Sequence, residues 1–279
     1  MYLAALWLHA QERIFMAIKL VAFDMDGTAL TSDKQLPPHL DDEIRRLHDK
    51  GIICAPATGR FFGTVADKFG EISQLMSCVS CNGHELHHEG KLISLHTFNP
   101  NTVLQLSAFA DRFEELFSVV FTADDGFVCA TPQTWPHRAA MEYGPMTLCD
   151  SFVVDDPEHP IIKCSFYSDD NIEKYCEIFN NEVFDIDQTV HGVVTSEVTF
   201  DVSLNGMNKG RGLAELAAHL GIDMSEVMAL GDHMNDYEMI ELAGDGVAVA
   251  NAIPQIKQIA NRITVSNDEY AVLKEMQKL

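Results

Sequence analysis

The stretch Ile18-Lys19-Leu20-Val21-Ala22-Phe23-Asp24-Met25-Asp26-Gly27-Thr28 decides the fold. Its apolar first part has the length of a buried strand, and Gly27 marks where the chain can turn. Within a strand, Asp24 and Asp26, two positions apart, would point to the same face. At a strand's end, with a glycine following, both can face one pocket. Two acids in so small a space repel each other unless a cation lies between them, and the cation suited to a hard, all-oxygen site is Mg²⁺. The segment reads as a carboxylate nucleophile with an acid/base partner on a metal. A strand that ends in an acidic turn is the competing reading, and five residues alone do not decide between them.

Outward from this stretch, strands and helices alternate. Leu40, Ile44 and Leu47 recur at helical spacing, with Gly51 closing the helix. The run 52–57 reads as a second buried strand entering Thr58-Gly59-Arg60, a helix follows over 61–69, and 78–80 is a short third strand ending at Asn82-Gly83. The last part alternates again. Asn208 caps a helix over 209–220 that stops at Gly221, and the strand 227–230 runs into Gly231-Asp232. A helix over 235–243, a strand over 247–249, a helix over 254–260, a strand over 263–265 and a terminal helix from Asp268 capped by Ser266 or Asn267 complete the series. Repeated βα units predict an α/β fold: a Rossmann-like parallel sheet with helices on both faces. The middle differs. It has β-rich stretches at 91–98, 118–122, 126–131, 161–167 and 193–204 and helical stretches near 100–116 and 170–181, the texture of an inserted α+β unit. The expected organisation is an N-terminal extension over 1–15, a core over 16–83 and 205–279, and an insertion over 84–204, hinged near Gly83–His84 and Leu204–Gly206.

Composition narrows the function. The 279 residues carry a formal net charge of −23, which repels nucleic-acid phosphates and anionic membrane surfaces and argues against both partners. Any phosphate site must be made locally positive. No segment is long enough to span a membrane, and the apolar start, Met1 to Ala10, lacks the basic residues of a signal peptide. Seven cysteines without a disulfide-like spacing fit a reducing cytoplasm.

Ligand sites in open α/β sheets lie beyond the carboxyl ends of the strands. Four polar constellations fall there: Asp24-Met25-Asp26-Gly27-Thr28, Thr58-Gly59-Arg60, Asn82-Gly83 and Gly231-Asp232-His233-Met234-Asn235-Asp236. A fifth, Asn208-Lys209-Gly210, puts a lysine at a helix start, where the dipole disfavours a cation unless an anion meets it. Taken in chain order, this set resembles the haloacid dehalogenase superfamily and, within it, the Cof-type sugar-phosphate phosphatases. The likeness covers about 16–279 and is closest in 18–83 and 205–279.

The resemblance implies a Mg²⁺-dependent phosphatase of small phosphorylated metabolites, with an inserted α+β cap that closes over the leaving group. It implies Asp24 as the nucleophile that forms an aspartyl-phosphate, and Asp26 as the acid and base whose side chain is left free for the proton. Mg²⁺ would be held by Asp24, the backbone carbonyl of Asp26, and Asp232. Met25, Thr58, Gly59, Lys209 and Asn235 would bind the phosphoryl group, and Asp236 would orient Lys209 or a metal-bound water. Arg60 is read equally as a phosphate contact or as the partner of a core acid. The segment Asn267-Asp268-Glu269-Tyr270 lacks the glycine usual in the family.

Two further readings compete on the same core: a phosphotransferase or phosphomutase, and a non-catalytic module that binds a phosphometabolite. Asp26 speaks against the last, since a binder needs no acid there. Cys78-x-x-Cys81 followed by His84, His87 and His88 offers zinc-type ligands, but a buried strand explains the cysteines more simply. The leaving group is expected to meet insertion residues such as Asp124, Asp125, Trp135, His137, Lys163 and His191. The substrate and the oligomeric state are not legible.

Overall fold

The computed structural model describes residues 17–122, 126–129, 147–149, 160–186 and 189–279. The expected extension over 1–15 and the residues Asp124, Asp125, Trp135 and His137 lie outside them.

The chain opens with β1 (Leu20–Phe23), α1 (Leu40–Asp49), β2 (Ile53–Pro56), α2 (Phe62–Phe69), β3 (Ser77–Ser80), β4 (Glu85–His88) and β5 (Lys91–Leu95). The middle comprises α3 (Pro100–Ala110), β6 (Phe117–Thr122), β7 (Gly126–Cys129), β8 (Thr147–Cys149), β9 (Ile161–Tyr167), α4 (Ile172–Ile186), β10 (Val190–Ser196) and β11 (Thr199–Leu204). The last part holds α5 (Lys209–Leu220), β12 (Val227–Gly231), α6 (Tyr237–Leu242), β13 (Asp245–Ala248), α7 (Pro254–Ile259), β14 (Arg262–Ile263) and α8 (Ala271–Met276).

One sheet has the order β14-β13-β12-β1-β2 and is parallel throughout. Side chains of β1 alternate between its faces, as a pleated strand requires. Val21 and Phe23 pack with Ile44 and Leu47 of α1, Val65 of α2 and Met276 of α8. Leu20 and Ala22 pack with Leu213 and Leu216 of α5 and Met239 of α6. Both faces are thereby covered, as the sequence predicted. The register levels the strand ends that matter: Phe23 lies opposite Leu230 on one side and Pro56 on the other. Asp24, Asp232 and Thr58 therefore leave the sheet at one edge. Because β2 lies on one side of β1 and β12 on the other, this edge is the point where the winding reverses.

A second sheet, order β10-β11-β9-β6-β7-β8, is antiparallel except for the β7/β8 pair. Its Cys164 and Phe166 pack against Leu106 and Phe109 of α3 and Tyr175 and Phe179 of α4. The stretch read as β-rich over 193–204 is a hairpin of two strands, β10 and β11.

The strand β4 has no counterpart in the sequence reading, and β5, read as the start of the insertion, does not join the second sheet. Both form an antiparallel sheet with β3, which is bridged to the core at Ala57–Val79. A division at 83/84 thus falls inside this three-stranded unit. The first helix of the second unit begins at Pro100. At the expected hinges, Gly83 and Gly206 both have positive φ, 100° and 74°. His84 Nε2 accepts from the Leu204 amide (3.4 Å), so the two crossings touch.

Helix ends follow their local signals. The Asn208 side chain accepts the Arg211 amide at 2.8 Å, and Gly221 closes α5 in the left-handed region. The expected terminal helix from Asp268 is instead broken. A short 3-10 turn over Asn267–Glu269, capped by Ser266, leads into Tyr270 at φ 66°, and α8 starts after it. The left-handed residue interrupts the helical hydrogen-bond series, and a tyrosine occupies it where the family resemblance expects glycine nearby.

Candidate active site

The Asp24 carboxylate, at the end of β1, is 5% exposed. The Lys209 ammonium reaches it from the first position of α5: Nζ lies 2.6 Å from Asp24 Oδ1 and 2.7 Å from Asp236 Oδ1. A cation at a helix N-terminus opposes the dipole, and these two anions offset that cost. Burial alone would lower the lysine's pKa, but Asp236 and Asp24 outweigh it and hold it above the usual value. Lys209 is a permanent cation here. The second oxygen of Asp236 accepts the backbone N–H groups of Asp232 (2.9 Å) and His233 (3.1 Å). This tightens the turn after β12. Gly231 makes it possible, because a Cβ there would lie 2.5 Å from the Asp236 side chain.

Asp232 accepts the Thr28 hydroxyl at 2.8 Å. Gly27, at φ 84°, approaches it so closely that a Cβ would stand 2.5 Å from Asp232 Oδ2. Asp24, Asp232 and Asp236 can place one oxygen each within 4.8 Å of one another, the one such cluster among the described residues. One lysine does not balance three carboxylates. Burial, joined by Asp236 and Asp232, pushes the Asp24 carboxyl well above its ordinary range, and burial with Asp236 also raises that of Asp232. The donor set is all oxygen and has an anionic surplus, which fits a hard divalent cation. Asp236 already spends both oxygens on Lys209 and two backbone amides, so Asp24 and Asp232 are the side chains left to hold one.

Asp26 does not have the free side chain that the sequence reading gave it. Arg60 grips both its oxygens, Nε to Oδ2 at 2.8 Å and Nη2 to Oδ1 at 2.9 Å, and Lys34 adds a contact at 2.8 Å. Burial works the other way, yet Arg60 and Lys34 bring its pKa down to about 2. Here Asp26 is an anion, and Arg60 is the partner of an acid. Two cations close by outweigh a partial burial, which residue spacing could not reveal.

Thr58 is buried, and its hydroxyl accepts the Arg60 amide at 3.2 Å, leaving the hydroxyl proton to donate. Gly59, Asn82 and Asn235 also line the cleft above Asp24. Asn235 is exposed at its rim, whereas Met25 is fully buried beneath. The cleft, about 1280 Å³, runs between the two sheets. Lys163, His191, Val193, Thr199 and Asp201 line its other wall, from β9, β10 and β11. Lys163 Nζ lies 3.0 Å from Asp201 Oδ2 and donates to the Gly59 carbonyl at 3.3 Å, and Asp201 accepts the Ser165 hydroxyl at 2.6 Å. Asp201 is a residue that sequence reasoning missed. So are Lys34 and Thr28 as partners of Asp26 and Asp232. Thr28 stands inside the motif, but an isolated lysine in a loop and an aspartate in mid-strand carry no local signal.

The cysteine–histidine cluster forms no site of this kind. Burial, with Glu85 nearby, pushes the Cys78 and Cys81 thiols up, which disfavours the thiolates a metal would need. His84 is likewise buried and lowered to about 4, an imidazole that stays neutral. No described helix is long and apolar enough to cross a membrane.

Comparison with known proteins agrees with the geometry. The family model described as haloacid dehalogenase-like hydrolase matches residues 21–276. Phosphatase YwpJ of Bacillus subtilis is 28% identical over 290 residues, covering 94% of this chain and all of that protein. The HMP-PP phosphatase of Cronobacter sakazakii is 31% identical over 244 residues, covering 85% and 86% of the two chains. Among solved structures, a haloacid dehalogenase-like hydrolase from B. subtilis matches with a TM-score of 0.80 at 26% identity, over 94% of this chain and 100% of that one.

Proposed function

The chain belongs to the haloacid dehalogenase-like hydrolases, in their Cof-type branch, and is a phosphomonoester hydrolase; from that membership and the geometry above we propose that it cleaves small phosphorylated metabolites through a phosphoryl group held transiently on Asp24. The observation that carries this reading is the buried Lys209 between Asp24 and Asp236. It fixes a carboxylate at the floor of a cleft, with a permanent cation beside the place where phosphoryl charge would develop.

In the first half of the cycle an Asp24 oxygen attacks phosphorus, the ester P–O bond breaks, and Asp26 gives a proton to the leaving oxygen. In the second half Asp26 takes a proton from water, the resulting hydroxide attacks the same phosphorus, and the Asp24–phosphorus bond breaks. Lys209, the Thr58 hydroxyl, the backbone N–H groups of Gly59 and Met25, and Asn235 hold the phosphoryl oxygens. Asp24, Asp232 and the Asp26 carbonyl would hold Mg²⁺. When bound, the ion supplies the positive charge that lets a carboxylate approach a phosphate dianion. Asp236 keeps Lys209 in place. Asp26 must exchange its contacts with Arg60 and Lys34 for a proton. A substrate phosphate is an anion able to draw those two cations away and so release it.

The second sheet acts as a cap that excludes bulk water and selects the leaving group, with the division between the units after β5 and after β11. The cleft suits a small metabolite. A sugar phosphate is the expectation for this branch, and HMP-PP phosphatase shows in its name another small phosphorylated substrate. The five cysteines whose side chains are described, all buried and free, support a reducing cytoplasm.

The test is phosphate release from a broad panel of phosphomonoesters with Mg²⁺, for the wild-type protein and Asp24→Asn. Wild-type turnover, its loss on chelation, and a fall of at least about 10³-fold in Asp24→Asn are expected. Rapid quench with ³²P-labelled substrate should trap label on the wild-type protein alone. Unchanged turnover in Asp24→Asn would sink the mechanism.

A further inference from the structure

We propose that the buried pair Glu85–His87, on the strand β4, positions the loop 58–62 for the reaction; this rests on the reading of the site as a phosphatase.

Glu85 is 1% exposed, and phosphoryl chemistry has no direct use for it. Its carboxylate is nonetheless fully engaged. Oε1 meets His87 Nε2 at 2.8 Å, and Oε2 accepts the Ser80 hydroxyl at 2.8 Å and the Phe62 amide at 3.2 Å. The His87 ring lies flat on the Phe62 ring, 3.6 Å between centroids and 6° between planes. A buried carboxylate persists only where its partners are complete, so this group has a defined task.

That task is visible in what it holds. Phe62 is the first residue of α2, and the preceding Phe61 offers no side-chain cap. The first amides of a helix lack intrahelical partners, and an anion there also suits the dipole. Glu85 thus caps α2 from a neighbouring strand, while His87 clamps the same residue by its ring. Two residues upstream, Arg60 grips Asp26, and Thr58 and Gly59 face the cleft. The rest of the loop is fastened by the Arg60 carbonyl to the Cys81 amide (2.8 Å) and the Thr58 carbonyl to the Asn82 amide (2.9 Å). Neither Glu85 nor His87 lines the cleft. They act through the loop, as positioning residues.

The experiment is a double-mutant cycle on the full-length protein, with its best phosphomonoester and Mg²⁺. Glu85→Gln keeps the size and an acceptor but removes the charge that holds His87 and the helix start. It should lower kcat about tenfold with KM changed less than threefold. In a Thr58→Val background the same change should cost less than about threefold in kcat/KM, because part of what the loop delivers to the phosphoryl group is already gone. If Glu85→Gln does not fold, His87→Gln carries the same test. A merely structural pair would lower the unfolding midpoint and leave kcat and KM within twofold in the folded protein, and that result overturns the inference. Multiplicative losses in the double mutant overturn it too. A wild-type protein without phosphatase activity overturns the functional reading, and this inference with it, whereas an active wild type with an unaffected Glu85 variant overturns the inference alone.

Discussion

Two buried lysines face one cleft from its two walls. Lys209 stands at the edge of the parallel sheet and bridges Asp24 and Asp236, with none of its side chain exposed. Lys163 stands in mid-strand on the antiparallel sheet and pairs with Asp201, with 8% of its side chain exposed. Both are cations bought out of water by carboxylates, yet they differ in what surrounds them. Lys209 is fixed by groups that any phosphate ester would meet. Lys163 lies on the opposite wall of the cleft, which in the proposed reaction faces the leaving group. In the proposed function the parallel sheet sets the reaction and the antiparallel sheet its range, and each lysine offers a way to test that division.

Lys209→Met should have the largest effect. It leaves Asp24 and Asp236 buried without their cation, a loss of about 3–5 kcal/mol in stability for a broken buried pair. Phosphoryl oxygens lose the adjacent charge as well, and removal of one such group lowers kcat by about 10²–10³-fold. Urea denaturation reads the first effect and phosphate release the second. The loss should be equal across all substrates. A strongly substrate-dependent loss would break the comparison, since the core lysine would then be selecting.

Lys163→Met should act the other way round. For the best natural-type substrate, kcat/KM should fall about 10–100-fold, as expected when a buried polar partner of the substrate is removed. For p-nitrophenyl phosphate, whose leaving group needs no recognition, the change should stay below about threefold, because its reaction uses the core alone. Equal losses for both substrates would place Lys163 with the reaction rather than with selection. Its contact with the Gly59 carbonyl would then be the route.

The same contrast explains what could be read from the chain. Lys209 was legible because it sits between a capping asparagine and a glycine at a helix start, a place where a cation needs a reason. Asp24, Thr58 and Asp232 were legible because parallel strands end in glycine-marked turns at one edge, so sequence position maps directly to the site. Lys163 was named only as one of several possible contacts. Its partner Asp201 is fixed by the register that sets Asp201 opposite Ser165 on β9, one pleat from Lys163, and long-range antiparallel pairing leaves no trace in a local motif. The strand β4 escaped for a similar reason: Glu85-Leu86-His87-His88 has few strand formers and is held by its antiparallel pairing with β3 and β5 rather than by its own propensity. Asp26 escaped because its state depends on Arg60, thirty-four positions away.

Tyr270 limits the idea that the core follows local rules throughout, and its replacement should give the smallest effect. A non-glycine residue in the left-handed region costs about 1–2 kcal/mol. Here the conformation is imposed from both sides. Asn267 donates to the Leu30 carbonyl at 2.9 Å and its amide bonds Asn251 at 3.0 Å, while α8 begins at the next residue. Tyr270→Gly would relieve the strain. Against that gain stand the extra freedom of glycine in the unfolded chain, about 0.5–1 kcal/mol, and the loss of a partly covered ring. The net expectation is a stabilisation of less than about 1 kcal/mol in urea denaturation, with kcat unchanged. A gain of this size would show that the parallel unit tolerates one local conflict because its neighbours over-determine the turn. A loss above about 1 kcal/mol would show that the ring packs against the rim and carries stability there, so that the core, like the antiparallel sheet, depends at this point on contacts its local sequence does not announce.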